Sequence, residues 1–143
     1  MDIVNYVTRG DRAIHDLVGY VNINDPDNAG QEMYDLARSF GKLKGTRIRH
    51  MVFSFDPVKE AHIHTKAAFY IGYKISQYYE NDYQLFFAVH ENKEHLHIHM
   101  IMNTVHRLTG AKHKGKKKDY YDFQKHIKKV IKPYGLYLRV TND

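Results

Sequence analysis

Between residues 28 and 140 the apolar positions alternate between helical and strand spacing, with polar or glycine-containing breaks separating the stretches. Over 29–40, Met33, Leu36, Ala37 and Phe40 share a helical face, Asn28 stands at the cap, Gln31 takes the third helical position, and Gly41 follows. These features predict a capped amphipathic helix. A basic, glycine-containing link at 42–47 leads to residues 48–55, which favour a strand stopped by Asp56 and Pro57. Helical spacing returns over 65–79, where Ala68, Ile71, Ile75, Tyr78 and Tyr79 recur, and Glu80, Asn81 and Asp82 break it.

Residues 83–90 and 96–105 predict a hairpin, and a turn around 108–111 leads into a lysine-rich loop. Asp119 is placed to cap a third helix with Tyr120, Phe123, Ile127, Val130 and Ile131 as its buried stripe, ended by Pro133 and Gly135. Residues 136–140 predict a last strand. With no internal repeat or linker, the order of elements suits one compact domain over 1–143, an antiparallel sheet covered by helices: an α+β fold.

Composition narrows the chemistry. The absence of cysteine excludes disulfides, thiolate ligands and a cysteine nucleophile, and fits a reducing compartment. No apolar stretch is long enough to cross a bilayer and no signal-peptide pattern opens the chain, so the expectation is a cytoplasmic protein without membrane insertion. The formal charge is +6, concentrated late in Lys112, Lys114, Lys116, Lys117 and Lys118 and then Lys125, Lys128, Lys129 and Lys132. Such a surface suits a polyanion, and beside a metal-binding cluster it suits nucleic acid.

That cluster is the most informative segment: His90, His95, His97 and His99 are four of eleven histidines and fall within ten residues. Alternation along a strand puts His95, His97 and His99 on one face, opposite Leu96, Ile98 and Met100. If 91–94 forms a four-residue loop, His90 ends the preceding strand opposite His95 and joins them. Two histidines one residue apart and a third from the neighbouring strand can offer three nitrogens to a divalent ion and leave coordination positions open, the arrangement of a catalytic rather than a structural site. Geometry alone does not choose among the four. The spacing is wrong for a zinc-protease helix, because three residues separate Glu91 from His95, and the flanking sequence predicts strands. The available nucleophiles are water, serine, threonine or one of twelve tyrosines, whose phenol, with a reference pKa of about 10, needs a nearby cation or base to ionise.

The run from Ala88 and Val89 through His90 to His97-Ile-His99-Met-Ile-Met-Asn103 resembles the three-histidine motif of the relaxases of conjugative and mobilisable elements, in the MOBP class of the HUH (histidine-hydrophobic-histidine) endonucleases. His50-Met-Val-Phe-Ser54-Phe-Asp-Pro is similar to the second motif, Asp2-Ile-Val-Asn-Tyr6-Val-Thr-Arg-Gly10 to the first, and Ile71-Gly72 and Tyr134-Gly-Leu136 also fit, so the resemblance covers nearly the whole chain. It implies a central antiparallel sheet carrying the histidines. It also implies Tyr6 as the nicking nucleophile with Tyr20 as runner-up, and His90, His97 and His99 as metal ligands with His95 in support. Ser54 and Asn103 would lie near the DNA, beside the lysines at 112–118.

The implied cofactor is Mg²⁺ or Mn²⁺, with Zn²⁺ as the alternative, and the implied activity is site- and strand-specific nicking of an origin of transfer through a 5′-phosphotyrosyl intermediate. The implied partners are single-stranded or locally melted origin DNA and accessory DNA-binding and coupling proteins. Two departures stand out. Asn92 replaces the usual aspartate, which leaves Glu91 or Glu94 to take its role, and Met1 lies only five residues ahead of Tyr6, which predicts a sheet lacking the usual first strand in a chain truncated at one or both ends. Within the same chemistry a replication initiator or transposase is the alternative. A silent DNA-binding remnant and a water-activating metallohydrolase are the other classes.

Overall fold

The computed structural model describes residues 17–91 and 96–140. Tyr6, Asn92, Glu94 and His95 therefore lie outside the described residues. Four strands, β1 (Val18–Val21), β2 (Ile48–Ser54), β3 (Leu85–Glu91) and β4 (Leu96–Asn103), form one antiparallel sheet in the order β1-β3-β4-β2. Among the described residues three α-helices complete the α+β fold: α1 (Ala29–Ser39), α2 (Thr65–Ser76) and α3 (Lys117–Ile131).

The two central strands are covered on both sides for most of their length, which is why 85–89 reads as an unbroken apolar run. On one face Leu85, Phe87, Val89, Ile98, Met100 and Met102 pack against Ile71 and Ile75 of α2 and Phe123, Ile127 and Ile131 of α3. On the other face Phe86, Ala88 and Ile101 pack against Ala29 and Met33 of α1. At about 1.5–3 kcal/mol for each large apolar side chain buried, this double cover is the main force holding the sheet.

Several expectations are corrected. Strand β1 was not expected from the sequence: four residues containing Gly19 carry too little periodicity to announce a strand. Gly19 is there because Phe87 crosses β1, and a Cβ on Gly19 would lie 2.2 Å from Phe87 Cζ; Gly72 of α2 makes room for the same ring from the other side. The expected last strand at 136–140 does not form. Leu136 is buried and Tyr137 exposed, so the burial alternates, but the segment has no ladder partner among the described residues and lines a groove of about 710 Å³ beside Met51 and Phe53 of β2.

Helix α1 ends as predicted, with Gly41 at φ 67° and bonds from Gly41 N–H to Arg38 C=O and from Lys42 N–H to Ala37 C=O. Its start differs: Gln31 donates to Asp35, and Glu32 instead accepts from the N–H groups of Asn24 and Asp25. In α3, Tyr120 is exposed and the buried stripe is Phe123, Ile127 and Ile131.

Asp119 lies in the first turn of α3, where Lys116 is the cap residue. Its carboxylate is spent on tertiary contacts, accepting from Tyr79 at 2.8 Å and Tyr78 at 3.3 Å and pairing with His113 at 2.8 Å. Burial pushes the Asp119 carboxyl up, but the bonds from His113 and Tyr79 outweigh it and hold the group below its ordinary value. Burial, reinforced by the bond to Asp119, pushes the Tyr79 phenol far up, so Tyr79 remains a donor. This network ties the lysine loop to the ends of α2 and α3.

Two outcomes follow. Gly19→Ala forces the Phe87 ring out of place, and urea unfolding should show a loss of about 1–3 kcal/mol. Asp119→Asn leaves a buried network short of an acceptor charge, and at pH 7 should destabilise by about 1–3 kcal/mol. Because the wild-type carboxyl is depressed, its contribution is present above 3.8 and is lost as the pH falls through the folded-state value. The difference between Asp119→Asn and wild type should therefore shrink in acid, as read by unfolding curves across pH.

Candidate metal centre

Beyond the edge of α1 the second sheet face turns from apolar to imidazole. His90 pairs in register with His97, and His99 pairs with Ala88, so the three imidazoles share the face that carries Phe86 and Ile101. The ladder continues to Glu91 opposite Leu96, which corrects the expected pairing of His90 with His95 by two residues. A two-residue slip preserves the side-chain faces, so the hydrophobic pattern could not distinguish the two registers.

The ring centroids of His90 lie 5.3 Å from those of His97 and 4.4 Å from those of His99, and His97 and His99 are 4.8 Å apart. Mutual tilts of 83°, 47° and 72° are those of rings converging on a point rather than stacking. One nitrogen from each lies within 4.8 Å of the others. Nitrogens bound to one ion at about 2.1 Å can be no more than about 4.2 Å apart, so small ring rotations would let the three residues ligate one divalent ion.

Electrostatics favours the same use. Burial, followed by the neighbouring His90, His97 and His50, pushes His99 down to about 3, and burial and then His90 lower His50. Neutral imidazoles keep their lone pairs available to a cation.

The remaining predicted residues divide. Ser54 stands opposite His97 on the histidine face and is exposed. Glu91, by alternation, stands on the other face, exposed. Tyr20 shares the histidine face but pairs with Phe86, four residues and about 14 Å along the strand from His90.

Asn103 is not available to DNA: it is 1% exposed, its amide donates to Met33 C=O and the Gln84 side chain, and its oxygen accepts from Val105 N–H. The lysine loop follows the Asn103 end of β4, with Lys112 bridged to Val105, so it lies about 14 Å or more from His99. There Lys112 donates to Thr46 C=O, and burial and then Lys42 and Arg47 lower it, so that two basic loops meet. Lys114, Lys116 and Lys117 are exposed, and Lys118 pairs with Asp122.

Sequence reasoning missed His50. It stands on the histidine face of β2, and its Nε2 lies 2.8 Å from His99 Nδ1. Its signal was the alternation of His50, Val52 and Ser54 within a strand of which only the serine was assigned a role.

A family model described as relaxase, MobA/VirD2-like, nuclease domain matches residues 6–136. The chain belongs to this relaxase family. A curated relative, "Protein rlx" from Staphylococcus aureus, is 29% identical over 93 residues, covering 65% of this chain. The match spans 28% of that protein's length. No solved structure gives a significant match. Relaxase nuclease domains nick DNA and use a divalent metal, and the His90, His97 and His99 cluster is where this relaxase chain could hold one. Among the described residues no helix is long and apolar enough to cross a membrane.

Replacing any one of His90, His97 or His99 by alanine should take Mn²⁺ binding, followed by isothermal titration calorimetry, below detection. The far-ultraviolet circular dichroism spectrum should stay that of the wild type.

Proposed function

We propose that this chain is the nuclease domain of a relaxase that nicks one strand at an origin of transfer, with Tyr6 as nucleophile and a divalent ion at His90, His97 and His99. The observation that carries the reading is the convergence of three imidazoles, one of them held neutral by burial, on the sheet face that carries Phe86, Ala88 and Ile101. The family match over residues 6–136 supports it.

Mg²⁺ or Mn²⁺ bound there would supply Lewis-acid polarisation of the scissile phosphate, with Zn²⁺ as the alternative. The three histidines would hold that ion, and Ser54, exposed beside His97, would offer its hydroxyl to the phosphate oxygens. Tyr6 attacks phosphorus: the Oη–P bond forms, the bond to the 3′-oxygen breaks, the phenolic proton is lost, and the departing 3′-oxygen takes one up. One phosphodiester replaces another, so the link can be reversed without a nucleotide cofactor. Asn92 removes the usual aspartate and Glu91 stands on the far face, so this reading leaves carboxylate assistance to Glu94.

The exposed lysines of 112–118 would hold phosphates away from the scissile bond. At about 3.4 Å per nucleotide of stacked strand, DNA engaging both surfaces must extend four or more nucleotides from the nick. These contacts contribute salt-sensitive affinity rather than base specificity. Accessory DNA-binding and coupling proteins would complete transfer.

The test incubates the protein with single-stranded oligonucleotides from its element's transfer origin, with Mn²⁺ or with EDTA, and resolves covalent adducts on a denaturing gel. A metal-dependent adduct absent from Tyr6→Phe and retained in Tyr20→Phe is expected. Retention in Tyr6→Phe with loss in Tyr20→Phe would move the nucleophile. Cleavage without an adduct would mean activated water, and binding without cleavage under any metal would mean a silent origin-binding domain.

A further inference from the structure

We propose that His50 is a positioning residue for the metal centre: it accepts the Nδ1–H of His99 and so presents the Nε2 lone pair of His99 to the ion. The inference rests on the three-histidine metal reading and adds a residue to it.

His50 pairs in register with Ile101, so it reaches His99 diagonally across the β2–β4 pair. Its Nε2 lies 2.8 Å from His99 Nδ1, the ring planes differ by 14°, and the centroids are 5.0 Å apart. Those three values place the rings edge to edge in nearly one plane, the arrangement that aims an N–H at a ring lone pair. It is not a face-to-face stack.

A bond between two neutral imidazoles holds one proton, and its position fixes both tautomers. If His50 Nε2–H donates, the single proton of His99 must sit on Nε2, and His99 cannot ligate. If His99 Nδ1–H donates, its Nε2 is free to join the nitrogens of His90 and His97, and His50 carries its own proton on Nδ1. Only the second state fits a metal, so metal binding and the His50 tautomer select each other.

His50 is not itself a fourth ligand in this arrangement, because the nitrogen nearest the cluster is already engaged by His99. Metal-bound histidines usually pass their second N–H to an acceptor that orients the ring, and losing such an acceptor typically weakens metal affinity roughly 10- to 100-fold. A neutral imidazole in this role adds no negative charge, leaving the ion a stronger Lewis acid than a carboxylate would.

Mn²⁺ affinity of the full chain, read from the electron paramagnetic resonance signal of free Mn²⁺, is the test, with the melting temperature of each metal-free protein measured alongside. His50→Ala should bind roughly 10- to 100-fold more weakly than wild type with a similar melting temperature. His50→Gln, whose amide oxygen can accept from Nδ1–H, should recover most of the loss. Wild-type affinity in His50→Ala would overturn the proposal. So would an equal loss in both variants, because the bond's acceptor would then not be what matters. If wild type itself binds no Mn²⁺, the three-histidine reading fails and this inference with it, a result distinct from either.

Discussion

The antiparallel pairing of β3 with β4 sets where the three imidazoles stand. With His90 opposite His97, the odd positions of β3 from Leu85 to Val89 and the even positions of β4 from Ile98 to Met102 meet under α2 and α3. The imidazoles take the other face. A one-residue slip of β4 against β3 would turn His97 and His99 into the apolar core and move Ile98, Met100 and Met102 out of it, a change opposed by the buried side chains of that face. Functional geometry and core packing are therefore enforced by the same hydrogen-bond ladder.

The histidine face is divided along its length. Near Asn103 it is closed by α1 and stitched by hydrogen bonds from a buried amide; near the hairpin it presents imidazoles, Ser54 and the half-exposed Val52. This gradient puts His99 where burial lowers its basicity while an approach from solvent stays open. Full burial would shut out a DNA strand. Full exposure would return His99 to its ordinary protonation.

Much of this was legible in the sequence because period and parity are local properties. The helices, the strand at 48–54 and the three-histidine cluster all follow from spacing that the chain displays directly. What could not be read depends on partners. The His90–His97 register and the His90–His95 register have the same parity, so only the actual ladder tells them apart. β1 is four residues long and hides a glycine required by Phe87, a residue 68 positions away in sequence. Leu136 to Val140 alternates as a strand does, yet an extended chain can bury every second residue without pairing. Asp119 looked like a cap because caps are local, whereas its bonds are to Tyr78, Tyr79 and His113. His50 escaped because its meaning lies in a diagonal contact with another strand.

The separation between the imidazoles and the lysine loop has a thermodynamic consequence. Substitutions more than about 7–10 Å apart without shared partners contribute nearly additively to free energy. The loop connects to the sheet through Thr104, Thr46 and the Asp119 network. On the proposed reading, grip on the polyanion and handling of the scissile bond would be separable quantities, and a change in the length or charge of the loop would leave the chemistry at the far end of the sheet undisturbed.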